Sequence, residues 1–325
     1  MATKYLGVYI LKNKLLLIAI IMISSILSGC NQQNKIVSRE IQFNTEQEDC
    51  IKAMTFNIRT GHAWWLDGWT FNQWSNRRDI AIDTIAESAA DVIGMQEGVD
   101  YQLKQIQKAL PQYSKYAKGR IDGKKSGETC AIFYRNDRFE LVDSGTFWFS
   151  KNPEKAGSKS WGNLFARICS WVQLKDKTTH MSFYVYNVHL DNWSQHSREK
   201  SVRLLAKKIA ERKTTDPFIL MGDFNMESNN PAMEYLEQIR NHDSFAAMIN
   251  TWQSLHSEKT KTGTYHKFTG SRNCPKIDHI STSEYAQVID SKIDRYKENG
   301  KYPSDHFPEI ATIRFPPEKT VSLNW

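Results

Sequence analysis

The chain has 325 residues, 40% hydrophobic and 24% charged, with a formal net charge of +7. This is the composition of a folded globular protein, not of a disordered or fibrous chain, and it is long enough for one large core. Lys4, Lys12 and Lys14 lie in the first 29 residues, which hold no acid, so the remainder carries only +4, too little to imply a nucleic-acid partner on charge alone.

Residues 15–27 form an apolar run behind those lysines. The run is short for a membrane span and fits the apolar region of a signal peptide. Leu27-Ser28-Gly29-Cys30 then resembles a bacterial lipobox. The expectation is a signal peptide over 1–29, lipidation of Cys30, a flexible polar tether over 30–49 and a folded domain over 50–317. Acyl chains on Cys30 would hold the protein to a membrane of the cell envelope, on its periplasmic or its outer side. Cys50, Cys130, Cys169 and Cys274 remain; that compartment permits disulfides, and buried unpaired thiols are the alternative reading.

The domain alternates strands and helices. Ile51 to Ile58 reads as a strand. Ser75 or Asn76 is the expected cap of a helix carrying Ile82, Ile85, Ala86 and Ala89 at helical spacing. Asp91 to Gln96 is a strand, followed by a helix capped by Asp100 and stopped by Pro111. The middle of the chain reads as strands at 129–134, 139–141, 146–149, 166–174 and 182–188, separated by turn residues. An amphipathic helix over 197–213 precedes a strand over 218–221. Asn230-Pro231 opens another helix, and 277–281 and 310–314 close the series as strands. Strands dominate the middle and helices flank both ends, which suggests two packed sheets with helices outside.

Polar clusters fall at the ends of these strands. Met221-Gly222-Asp223-Phe224-Asn225 delivers a carboxylate and an amide two residues apart behind an apolar strand. That pair suits aligning a water, a divalent metal or a phosphate. Asn57, Glu97, His189, Asp278, Asp305 and His306 sit at other strand ends. Each alone has a structural explanation, as a turn anchor or a satisfied core histidine. Gathered at one edge of a sheet they would form a single crevice.

The strings Met54-Thr55-Phe56-Asn57-Ile58-Arg59, Gly94-Met95-Gln96-Glu97, Asn187-Val188-His189-Leu190, Gly222-Asp223-Phe224-Asn225, Lys276-Ile277-Asp278-His279-Ile280 and Pro303-Ser304-Asp305-His306-Phe307-Pro308 together resemble the endonuclease/exonuclease/phosphatase superfamily, over roughly 51–315. That group includes pancreatic-type DNase, abasic-site endonucleases, bacterial sphingomyelinase and inositol-phosphate 5-phosphatases. Segments 143–148 and 166–171 further resemble a secreted bacterial branch. The resemblance implies a four-layer α/β-sandwich: two packed mixed β-sheets flanked by helices. It implies a Mg²⁺ or Mn²⁺ held by Glu97 with Asn57 beside it and Asp305 completing the shell through water. Asp223 would orient or deprotonate the attacking water, and Asn225 would fix that carboxylate or the phosphate. His306, with its tautomer set by Asp278, would donate to the phosphate or act as base. His189 would contact the phosphate from the opposite side.

Several nucleases of the group carry an acid where this chain has Arg59. Arg59 is therefore read either as a grip on substrate phosphate or as a salt-bridge partner, and Arg167 and Glu128 each as a substrate contact or a structural ion-pair partner. The aromatic stretch 62–74 offers Trp65 and Trp69 as a sugar- or base-stacking platform, a membrane contact or a packed loop. The favoured function is a metal-dependent phosphoesterase acting outside the cytoplasm on a small, glycan-linked or lipid-linked phosphate ester, as a monomer. A secreted nuclease and a carbohydrate-binding lipoprotein without turnover are the alternatives. The modest charge counts against nucleic acid.

Overall fold

The computed structural model describes residues 36–43, 49–62, 67, 72–238, 247–257 and 262–316. The chain divides into two units, Met1–Val37 and Ser38–Trp325. Only Ile36 and Val37 of the first are described, so the leader and Cys30 lie outside the described residues, as do Trp65 and Trp69.

Within the second unit, one six-stranded sheet comprises β1 (Cys50–Asn57), β2 (Val92–Gln96), β3 (Tyr113–Tyr116), β4 (Cys130–Arg135), β11 (Gln287–Ile293) and β12 (Glu309–Arg314), in the order β11-β12-β1-β2-β4-β3. The other comprises β5 (Phe139–Trp148), β6 (Ile168–Asp176), β7 (Ser182–His189), β8 (Phe218–Asp223), β9 (Met248–Asn250) and β10 (Asp278–Ser283), in the order β5-β6-β7-β8-β10-β9. Each sheet is mixed: β1 and β2 are parallel in one, β7 and β8 in the other, and their remaining pairings are antiparallel. The fold is thus the expected sandwich of two mixed sheets with flanking helices.

Side-chain alternation assigns the layers. On β7, Phe183 and Val185 join Ile51, Ala53, Val92 and Ile132 of the first sheet in the core between the sheets. Tyr184, Tyr186 and Val188 point the other way, onto Val202, Leu205 and Ile209 of helix α3 (Gln195–Ala210). A strand covered on both faces reads as a nearly continuous apolar run, which is why β7 and β8 were legible. The sheets approach closely: a Cβ on Gly94 would lie 2.6 Å from Met221 Sδ. Asn187 stitches them, its Nδ2 donating to the carbonyls of Met95 (3.0 Å) and Ala131 (2.8 Å) while its Oδ1 accepts from Gln96 Nε2 (2.7 Å).

Helix α1 (Trp74–Ser88) begins before its expected caps: Gln73 precedes it and makes no side-chain cap bond. Asp100 is the first residue of α2 (Asp100–Ala109), not its cap, and the Val99 amide is satisfied by Gln102 Oε1 (3.2 Å). Ser194 does cap α3, accepting from the Ser197 amide. Asn230 precedes α4 (Pro231–Gln238) and accepts from the Ala232 amide. A short α5 (Thr251–Leu255) is capped by Asn250.

Part of the expected tether lies against the domain. The Arg39 amide donates to Ala109 O (2.7 Å) and its Nε to Asp83 Oδ1 (2.6 Å), while the Arg135 guanidinium stacks 3.7 Å over the Phe43 ring. A polar composition hid these partners. The four cysteines Cys50, Cys130, Cys169 and Cys274 are free thiols.

Candidate active site

The topology collects the polar strand ends at one edge. β1 and β2 end together, with Asn57 paired to Gln96; β7 and β8 end together, with His189 opposite Asp223. The antiparallel neighbours begin at that edge: β10 with Asp278 opposite Asp223, and β6 just after Arg167. Backbone geometry at the edge is unusual. Arg59, Glu97 and Asn225 all have positive φ (56°, 64° and 54°), a conformation that costs a non-glycine residue on the order of 1–3 kcal/mol. Gly222, at φ 149°, has no room for a side chain, since a Cβ there would meet Val188 O at 2.1 Å.

Asp223 is the hub, buried at 2% exposure. Its Oδ1 accepts from the Asn225 amide (2.8 Å) and its Oδ2 from Asn57 Nδ2 (3.0 Å). His189 Nε2 and His306 Nε2 stand 3.6 and 3.9 Å from that same Oδ2. Burial, then the neighbouring Asp278 charge, push the Asp223 carboxyl up to about 7, against the pull of His306. His306 Nδ1 bonds Asp278 Oδ2 at 2.8 Å. Burial alone would lower this imidazole, but the Asp278 charge and hydrogen bond outweigh it and raise it to about 10. His189 is opposite in character. Arg167 Nη1 lies 2.9 Å from its Nε2, and because a guanidinium cannot accept, that nitrogen carries the lone pair. Burial and the Arg167 charge hold His189 well below its ordinary value, as a neutral ring.

A second half of the site is acidic. Glu97 accepts from the Thr60 amide (2.9 Å) and from Asn57 Nδ2 (3.1 Å). Burial works against its charge, yet Arg59 and these hydrogen bonds hold the carboxyl below the ordinary range. Asp305 is pushed upward by burial first, with Glu97 adding to it. Arg59 pairs with Asp67 (3.2 Å) and stands 3.8 Å from Asp305.

One placement departs from expectation, and two take one of the alternatives the sequence left open. Asn57 turns its NH₂ to Glu97 and Asp223 while its Oδ1 accepts from the Arg59 amide (3.0 Å), so it positions two carboxylates and does not present an oxygen to a metal. Arg59 is a counter-ion of the acidic half, because two buried carboxylates there need one. Asn225 serves Asp223 through its main-chain N–H, its side chain being tied to Leu190 O (3.1 Å). His189, Asp223, Asp278 and His306 come together at this edge, with Glu97 and Asp305 in the acidic half; Trp65 and Trp69 lie outside the described residues.

Sequence reading missed the supports. Arg77, 2% exposed, donates to the carbonyls of Ile58 (2.5 Å), Arg59 (2.7 Å), Asn72 (2.9 Å) and Pro303 (3.0 Å), joining the β1 and His306 loops. Its place on the buried stripe of α1, one turn from Trp74 and Ala81, was the available signal. Ser304 Oγ donates to Asn57 O (2.6 Å), and Gln102 binds Arg59 O and the Gly61 amide.

Two donor sets could take a cation. Asp223, Asp278 and His306 place ligand atoms within 4.8 Å of one another. There, however, His306 Nδ1 is taken by Asp278 Oδ2, leaving Asp278 Oδ1 without a hydrogen-bond partner among the described residues, and a protonated imidazole offers no lone pair. Glu97 and Asp305 fit a hard divalent ion better: they are oxygen donors whose mutual repulsion such an ion relieves.

Residues 54–306 match the Endonuclease/Exonuclease/phosphatase family. A family protein of Bacteroides thetaiotaomicron superposes with a TM-score of 0.75 at 29% identity, covering 83% of this chain and 96% of that one. One from Bacteroides vulgatus gives 0.73 at 30% identity, covering 82% and 99%. A mannosyl-6-phosphatase of B. thetaiotaomicron gives 0.71 at 29% identity, covering 82% and 100%. With its strand ends, its Asp223 hub and this match over most of its length, the chain belongs to the endonuclease/exonuclease/phosphatase family.

Proposed function

We propose that this protein is a metal-dependent phosphoesterase, with a divalent cation held by Glu97 and Asp305 and hydrolysis centred on Asp223. The observation that carries the reading is the convergence on buried Asp223 of His189 and His306, 3.6 and 3.9 Å from its Oδ2, with Asp278 bonded to His306 at 2.8 Å. Bound there, a divalent ion neutralises phosphoryl oxygen charge and eases departure of the leaving oxyanion.

The residues divide the remaining work. Asp223, aligned by the Asn225 amide and Asn57, takes the proton of the attacking water. A value of about 7 suits a general base at neutral pH. His306 cannot be that base, because Asp278 keeps it protonated; it donates from Nε2 to a non-bridging phosphate oxygen and offsets charge that grows during attack. His189 presents a neutral ring on the other side, fixed by Arg167. The relative that is a mannosyl-6-phosphatase makes sugar phosphates the first substrates to try. The lipobox reading adds that the reaction takes place outside the cytoplasm on a protein anchored through Cys30; palmitate labelling that survives Cys30→Ser would end that part of the proposal.

A panel of sugar phosphates, inositol phosphates, phospholipids, nucleotides and p-nitrophenyl esters tests the activity. Release of phosphate or alcohol should need Mg²⁺ or Mn²⁺, stop with a chelator and return on adding the ion. Turnover unaffected by chelation would exclude the metal, and robust plasmid cleavage would favour a nuclease.

A further inference from the structure

One wall of the pocket is left, in the proposed hydrolysis, only the positioning of His189. Arg120, Glu128, Thr129, Arg167 and His189 line a single small recess of about 10 Å³, backed by the apolar cluster of Cys130, Trp148, Ala166 and Ile168. Arg167, only 5% exposed, uses Nη1 on His189 and Nη2 on Asn192 Oδ1 (2.7 Å). Among the described residues its buried Nε has no hydrogen-bond acceptor, and Asp191 Oδ2, 3.7 Å away, is likewise without a hydrogen-bond partner. Arg120, with 13% of its side chain exposed, meets Glu128 Oε2 through Nη1 at 2.6 Å, and its guanidinium lies 5.2 Å over the Phe165 ring. Burial and then the Glu97 charge push the Glu128 carboxyl up to about 7, against the pull of Arg120. The recess thus keeps two guanidiniums beside the His189 ring that stands 3.6 Å from Asp223.

We propose that Arg120 and Arg167 form a subsite for the extra anionic oxygen of a terminal phosphate, and that this wall selects phosphomonoesters over diesters. The inference rests on the phosphoesterase reading and names its substrate class. A monoester is mostly a dianion at neutral pH, whereas a diester carries one charge and an added bulky group. A guanidinium fork matches two phosphate oxygens. Glu128 acts as a placeholder: it occupies Arg120 when the pocket is empty and yields it to the incoming dianion. The low dielectric of the recess strengthens that exchange.

The test compares kcat/KM for p-nitrophenyl phosphate and bis-p-nitrophenyl phosphate. Arg120→Met should lower the monoester-to-diester ratio at least tenfold, and Arg120→Lys should recover part of it. Glu128→Gln should raise the ratio several-fold through a lower monoester KM. A merely structural role would depress both substrates together in every variant, and unchanged ratios would overturn the proposal. If the wild type hydrolyses neither ester, the phosphoesterase reading fails separately. Calorimetric titration with inorganic phosphate then judges the wall: binding weakened tenfold by Arg120→Met supports it, and equal binding overturns it.

Discussion

Two imidazoles flank Asp223 and carry opposite charge. On the β10 side, His306 leans on Asp278 at 2.8 Å and stays cationic to about pH 10. On the β6–β7 side, His189 accepts from Arg167 at 2.9 Å and stays neutral. Burial lowers both rings, and the charges around them set the difference, Asp278 first for His306 and Arg167 first for His189. The same side-chain type therefore performs two tasks within one pocket, a fixed positive charge on one flank and a neutral contact on the other. Asp223 between them is left as the group that exchanges a proton near neutrality.

The largest expected break of this arrangement is Asp223→Asn. It keeps the shape and removes the base, and kcat should fall roughly 10²–10⁴-fold, measured on the best ester of the panel. Retention of more than a tenth of wild-type turnover would remove Asp223 from the proton step. Next comes Asp278→Asn, which takes the carboxylate from the cationic flank alone. His306 should then titrate well below 10, and kcat should fall about 10–100-fold, the scale of losing one charge-assisted hydrogen bond of ~1.5–3 kcal/mol; an unmoved His306 titration would show that another group sets its charge. Arg167→Met acts on the opposite flank. His189 should remain neutral through burial, so activity toward a monoester should drop about tenfold, on the same hydrogen-bond scale, with His306 unaltered. A His306 titration that moves with Arg167 would mean that the flanks are not independent.

The smallest effect is on stability. The value of His306 is raised in the folded state, so its contribution is complete below the unfolded value of about 6.5. It is lost as pH rises through about 10. In metal-free protein, Tm should fall more steeply across that window for wild type than for His306→Gln. Parallel curves would deny the raised value.

The sequence showed the carriers of charge better than their supports. Asp223, Glu97, Asp278 and His306 lie in short strings at the ends of apolar strands, and the topology needed only to bring those ends together. Arg77 and Gln102 were not legible as site residues because they act on main-chain carbonyls of distant loops, and nothing local in their segments marks that task. Arg120 was missed for a related reason: it lies in the β3–β4 connection and reaches the pocket only through tertiary packing. Strand detection failed in the same way. β3 and β9 are short edge strands, and β11 is polar and half-exposed, so none shows sustained alternation. β5 read as two pieces because its register shifts between Leu141 and Asp143 and its middle is exposed or half-exposed.

Nitrogen-15 NMR of the imidazoles at pH 7 tests the division around Asp223 most directly. His306 should carry protons on both ring nitrogens, and His189 should carry one, with Nε2 unprotonated. Two neutral rings, or a protonated His189 beside a neutral His306, would contradict it.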